Sequence, residues 1–160
     1  MQASDVASLL RHISAKGVRA CVAGGWAVDA LLGRQTRPHQ DLDLAVDADQ
    51  LQRLLDLLVT LGFVPREDWL PVRIELEDVL GRRVDLHPLR FAEDGSAVQA
   101  SLGDTDFYYP SDAFTTGCIA GQTVECLTAQ QQLAFREGYN WHARDYHDVP
   151  LLRRWINHPS

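Results

Sequence analysis

The run GGWAVDALLGRQTRPHQDLDLAV at residues 24–46 restricts this chain more than any other stretch. It reads as a glycine pair at a strand-to-helix turn, a short helix, a polar loop, and a strand carrying two aspartates. Before it, Val18 to Ala23 is mostly small or β-branched and predicts a buried strand. Gly24 and Gly25 let the backbone turn with free amides and no Cβ in the way, which is what a phosphate needs to approach the main chain. From Trp26 to Leu32 the sequence suits a helix: Ala27, Ala30 and Leu31 share one face, and Gly33 supplies the stop. Asp41 and Asp43 sit two apart in the next strand, so both carboxylates leave one face while Leu42, Leu44 and Val46 point to the core. Paired carboxylates beyond a phosphate cradle suit a divalent cation and the nucleotide phosphates it bridges.

The rest of the chain continues an alternation of helix and strand. Val6, Leu9, Leu10 and Ile13 predict an amphipathic opening helix that ends near Gly17. Leu51, Leu54, Leu55, Leu58 and Leu61 repeat that pattern, with Asp49 as cap and Gly62 as terminator, and lead to a strand near Phe63–Val64. Ile74 and Leu76 alternate with charged residues, as do Val84 and Leu86 beyond Gly81, which predicts a hairpin. Residues 91–112 read as irregular chain with one short strand, Ala97 to Leu102. Cys118-Ile119 and Thr123 to Cys126 predict a second small hairpin. Thr128 with Gln131 caps a helix running to about Glu137 and stopped by Gly138. A last helix spans Asp145 to Ile156, where Pro150 is expected to be tolerated only in the first turn.

The glycine pair, helix and Asp-x-Asp strand resemble the nucleotidyltransferase superfamily of DNA polymerase β type. The fuller strings, GGWAVDALLG and TRPHQDLDLAV, resemble its antibiotic-modifying branch, first the small lincosamide nucleotidyltransferases and next the aminoglycoside 2''-nucleotidyltransferases. WLPVRIEL with GRRVDLHPL is similar to that family's hairpin, and GYNWHARDYHDVPLL to its C-terminal pattern of Gly-Tyr and two aspartates three apart. The fold the resemblance implies is α/β (α+β): a mixed β-sheet flanked by helices, with a small C-terminal helical part. One domain over residues 1–160 is expected, with 1–90 as catalytic core and 91–160 closing the acceptor site.

The resemblance also implies the site. Asp41, Asp43 and Asp85 form a catalytic and metal-binding triad, with Asp85 as third ligand, general base, or both. Gly24, Gly25, Arg37 and His39 bind the nucleotide, and Glu75, Tyr139, Asp145 and Asp148 meet the acceptor. Each has a plainer reading: an Asp-x-Asp can be solvated, Asp85 can pair with a surface arginine, and a Gly pair can be only a turn. Arg34 is open either way. Trp26 reads as packing, and Asp29 as a brace for the loop. His87, before Pro88 at a strand end, reads as structural and is left out of the catalytic set. The aromatics Trp69, Phe107, Tyr108, Tyr109, Tyr139 and Trp141 can wall a cleft or belong to the core.

The activity implied is transfer of AMP from ATP, with Mg²⁺, to a hydroxyl of a lincosamide antibiotic. An aminoglycoside acceptor is the first alternative, and an antitoxin-like nucleotide-binding protein on the same fold the second. Net charge bears on the partner: −7, from 22 acidic and 15 basic residues, disfavours a nucleic acid and tolerates a cationic small molecule. No run approaches the ~18 apolar residues of a membrane span. Three scattered cysteines predict no disulfide framework, so a cytoplasmic enzyme is expected, with a homodimer left open.

Overall fold

The structure is a computed structural model that describes residues 1–137 and 140–158. The opening helix α1 (Ala3–Ala15) buries the predicted stripe of Val6, Leu9, Leu10 and Ile13. The first strand shortens to β1 (Ala20–Val22), because the Val18 N–H still closes the end of α1 on the Ile13 carbonyl. Helix α2 (Gly24–Leu32) starts at the glycine pair rather than at Trp26, and Gly33 ends it in the left-handed conformation.

Strand β2 (Asp41–Asp47) alternates as predicted. The cap that follows is Asp47, not Asp49: the Asp47 carboxylate accepts the Asp49 N–H at 3.0 Å. An aspartate caps an amide two residues ahead, so the acid at the strand end does this work. A 3-10 turn, Ala48–Gln50, then leads into α3 (Leu51–Thr60), which buries Leu54, Leu57 and Leu58.

Strand β3 (Val64–Trp69) is an exposed edge, and β4 (Arg73–Glu77) with β5 (Arg83–Phe91) forms the predicted hairpin. Residues 91–112 hold two short strands rather than one, β6 (Ala97–Gln99) and β7 (Phe107–Tyr109). The expected strand is β6, shortened to the residues that pair with β5; the three residues of β7 show too little alternation to be read as a strand, and pairing with β6 makes it. The second hairpin is β8 (Phe114–Ile119) with β9 (Gln122–Leu127).

Thr128 caps α4 (Ala129–Ala134), accepting the Gln131 N–H, and the helix ends short of Glu137. The expected stop at Gly138 and the expected acceptor contact Tyr139 lie outside the described residues. Helix α5 (Ala143–Asn157) carries Pro150 in its interior, contrary to the first-turn expectation. Pro150 is exposed, so the Tyr146 carbonyl that it leaves without an intrahelical partner lies on the solvent side. The opposite face buries Asp145, Asp148, Val149 and Leu152 and holds the helix in place.

The strands form one mixed sheet in the order β3-β4-β5-β2-β1-β9-β8, with β6 and β7 branching from the far half of β5. Strands β2 and β5 are parallel, as are β1 and β9; the other pairs are antiparallel. The C-terminal half therefore supplies strands to the sheet as well as helices. Alternation sorts the side chains by face. Leu42, Leu44 and Val46 of β2 and Val84 and Leu86 of β5 join the larger core under the helices. Ala45 and Leu89 belong to a smaller apolar cluster with Tyr109 and Leu127. Asp41, Asp43, Asp85 and His87 share the alternation of that second face, so the site and the smaller core lie side by side.

Candidate active site

The parallel pairing of β2 with β5 sets Asp43 opposite Asp85, and β4 sets Glu75 opposite Asp85 on the other side. Asp41 and Asp43 are half-buried, and Asp85 is buried. One ligand atom each from Asp43, Asp85 and His87 lies within 4.8 Å of the others. His87 Nε2 is 3.4 Å from Asp43 Oδ1 and 3.8 Å from Asp85 Oδ2. Arg73 donates to Asp85 Oδ2 at 2.6 Å, while the buried Oδ1 has no hydrogen-bond partner. Two carboxylates and an imidazole, with one buried carboxylate oxygen unsatisfied, fit a divalent cation. Asp41 is one pleat further along β2 and is not part of this group of three.

The electrostatics follow from crowding of like charge. Burial, and then the charge of Asp43, pushes the Asp41 carboxyl above the usual carboxylate range. Burial pushes Asp43 up as well, but the hydrogen bond and charge of His87, aided by Arg144 and Arg136, hold it below that range. Burial would lower His87; its hydrogen bond to Asp43 and the charges of Asp43 and Asp85 outweigh this and hold it above the usual value. Gln99 Nε2 lies 3.2 Å from His87 Nδ1, and the Tyr109 hydroxyl donates to Gln99 Oε1 at 2.7 Å.

The glycine pair lets these groups approach the start of α2. Gly24 has φ +57°, and a Cβ there would collide with the Asp43 carboxylate. At Gly25 a Cβ would meet an Arg37 guanidinium nitrogen and His39 Nδ1, each at 2.5 Å. Both contacts are closer than a real side chain tolerates.

A cavity of about 990 Å³ opens over this face. Gly24, Gly25, Asp41, Asp43 and His87 line it, Phe107, Tyr109, Leu127 and Phe135 add apolar surface, and Arg136, Arg144, Asp145 and Asp148 come from the C-terminal helical part. Arg37 and His39 line it as well, but both are engaged. Arg37 grips Asp148 with two bonds of 2.9 and 2.8 Å, and His39 pairs with Asp29. Asp29 also accepts from the Thr36 amide and hydroxyl, so it does brace the loop. Trp26 is buried with its ring centroid 4.5 Å from that of His39.

The predicted acceptor residues divide. Asp145 pairs with Arg136 at 3.3 Å and accepts the His142 N–H. Asp148 holds Arg37 and, at 3.5 Å, Arg136. Glu75 does not line the cavity; strand alternation and register give it Arg66 and Arg83 as partners instead. Asp85 is also absent from the wall, set beside Asp43. Trp69 and Tyr108 are exposed elsewhere, and Arg34 is exposed with no lining role. His87 was set aside by sequence, and Gln99, Phe135, Arg136 and Arg144 were not singled out. For His87 the signal was present, since it alternates with Asp85; the others come to the site only through tertiary packing.

A mixed sheet that sets carboxylates on adjoining parallel strands, beside a Gly-Gly helix start, defines a nucleotidyltransferase fold. Residues 5–152 match the aminoglycoside-2''-adenylyltransferase family, and the chain belongs to that family. It is 32% identical over 130 residues to a lincosamide resistance protein of Staphylococcus haemolyticus, covering 81% of each chain. With a 2''-aminoglycoside nucleotidyltransferase of Klebsiella pneumoniae it shares 34% identity over 107 residues, 66% of this chain and 55% of the other. Among solved structures, the lincomycin-bound lincosamide antibiotic adenylyltransferase LnuA superimposes with a TM-score of 0.85 at 29% identity, covering 94% of this chain and 95% of that one. ANT(2'')-Ia in complex with adenylyl-2''-tobramycin gives 0.77 at 21% identity over 96% and 88%, a likeness of fold. The chain is thus an enzyme, a transferase of the antibiotic-resistance nucleotidyltransferases, a family that implies a nucleoside triphosphate and a divalent metal. Among the described residues no helix is long and apolar enough to cross a membrane.

Proposed function

We propose that this enzyme transfers AMP from ATP to a hydroxyl of a lincosamide antibiotic, with Mg²⁺ as the metal. One observation carries the choice of acceptor: the cavity has an apolar wall of Phe107, Tyr109, Leu127 and Phe135, while its far acids are already paired. Asp148 is held by Arg37 and Asp145 by Arg136. A strongly cationic aminoglycoside needs unpaired carboxylates, whereas a largely apolar drug needs surface to cover. The lincosamide relative and the LnuA superposition support the same reading.

Asp43 and Asp85 would hold the metal, with Asp41 beside them. When bound, it would supply charge neutralisation of the triphosphate and of the oxygens that gain charge in the displacement. The acceptor hydroxyl attacks the α-phosphorus; an O–P bond forms as the bond to the β-phosphate breaks, and pyrophosphate takes the electron pair. Asp41 lines the cavity beside these carboxylates and is placed to take the hydroxyl proton. Asp85 is pinned by Arg73 and lies off the wall, so it serves the metal rather than the proton. Gly24 and Gly25 present amides to the phosphates at the start of α2. Residues 91–160 close the acceptor side of a single catalytic unit. The reading places the enzyme in the cytoplasm, where ATP is supplied, and is compatible with a homodimer.

An aminoglycoside acceptor is favoured by one fact, the family match itself. Pyrophosphate release with ATP·Mg²⁺ separates the two readings. Release should require lincomycin or clindamycin and not occur with kanamycin or without acceptor. Release with kanamycin alone moves the enzyme to the other acceptor.

A further inference from the structure

Six basic side chains line the cavity: Arg37, His39, His87, Arg136, His142 and Arg144. Five are committed within the fold. Arg37 is held by Asp148, His39 by Asp29, and His87 by Asp43. Arg136 is shared between Asp145 and Asp148, and His142 closes a capping box with Asp145 at the start of α5. Arg144, in the first turn of α5, is exposed and makes no hydrogen bond or ion pair among the described residues. It lines the same cavity as Asp41 and Asp43, and its charge acts on both carboxylates.

A nucleoside triphosphate remains anionic after one divalent ion has bound, and the departing pyrophosphate gains further charge. An anion entering a cavity lined with Asp41 and Asp43 needs a cation that the protein has not already neutralised. Withdrawing Arg37 would take from the buried Asp148 its two-bond partner, and withdrawing Arg136 would take from the buried Asp145 its ion pair, each at a cost of several kcal/mol. Arg144 can serve with no such loss, and a guanidinium fork suits two phosphate oxygens.

We propose that Arg144 is the residue that grips the β- and γ-phosphates of the nucleoside triphosphate and steadies pyrophosphate as it leaves. This rests on the nucleotidyl-transfer reading but not on the identity of the acceptor. As the α-phosphorus passes to the acceptor oxygen, the electron pair of the broken bond moves onto pyrophosphate, where Arg144 meets it.

The test is calorimetric titration of inorganic pyrophosphate, ATP and AMP, each with Mg²⁺, into wild-type enzyme, Arg144→Ala and Arg144→Lys. Arg144→Ala should weaken pyrophosphate and ATP binding about tenfold or more and leave AMP binding unchanged. Arg144→Lys should recover part of the loss, since it keeps the charge without the fork. Because Arg144 is exposed and has no hydrogen-bond or ion-pair partner among the described residues, neither variant is expected to alter the melting temperature. Equal pyrophosphate affinity in wild type and Arg144→Ala overturns the proposal, as does an equal loss of AMP binding. Wild-type enzyme that binds ATP and pyrophosphate but modifies no lincosamide overturns the acceptor reading and leaves Arg144 in place.

Discussion

Asp85 has one oxygen bonded to Arg73 and the other buried without a partner, beside Asp43 and off the cavity wall. A general base must reach the proton it takes, whereas a metal ligand need only reach the metal. Asp85→Asn should therefore weaken Mg²⁺ binding roughly 10- to 100-fold, with excess Mg²⁺ restoring much of the transfer rate. Calorimetric titration of the metal, paired with rates across a Mg²⁺ series, measures both. Unchanged metal affinity with a rate that Mg²⁺ does not rescue would make Asp85 the base. At this scale the sequence was legible where chemistry repeats along a strand. Asp41 and Asp43 fall on one face because alternation is local, and the pairing of β5 with β2 then brings Asp85 beside them. Arg37 was not legible in the same way: its partner Asp148 lies far along the chain, and only packing of α5 shows that its charge is already used. His87 carried the strand signal of Asp85 but was set aside for standing before a proline, a weaker cue than alternation.

Helix α5 depends on its buried acids. Burial raises the Asp148 carboxyl, but hydrogen bonds from Arg37 and His147, with the charges of Arg37 and Arg136, outweigh that and hold it below the usual range. A carboxyl held lower in the folded chain than in the unfolded one contributes stability above the unfolded pKa of about 4. That contribution is lost as pH falls through the lower folded value. The urea midpoint should therefore drop below about pH 4. In Arg37→Ala, stability at neutral pH should fall by about 3 kcal/mol, and the further loss in acid should be smaller. An identical acid slope in both proteins would remove Asp148 from that account. The element also shows where local rules fail. Pro150 argued for a helix starting near it, yet α5 runs through because its buried face outweighs one missing hydrogen bond on the exposed side. Strand β6 was expected, though three residues longer, whereas β7 escaped notice because its three residues gain their order from β6, not from their own pattern.

At the scale of the whole molecule, one sheet joins the two halves of the chain. Strand β9 pairs with β1, and β6 and β7 extend the sheet beside β5, so the carboxylates of the first half face a wall built by the second. The alternating helices and strands of the first 90 residues could be read in order, because their cores are amphipathic and their stops are glycines. How the later hairpin joins the sheet could not be read, since β9 lies parallel to a strand from the start of the chain. On the proposed reading, the cavity between the halves is where nucleotide and drug meet. Mass spectrometry of lincomycin incubated with the enzyme, ATP and Mg²⁺ tests that claim most directly. The account predicts a product heavier by one adenylyl group, absent when Asp43→Asn replaces the wild-type enzyme. Unmodified lincomycin with a wild-type enzyme that adenylylates kanamycin, or no acceptor at all, would contradict it.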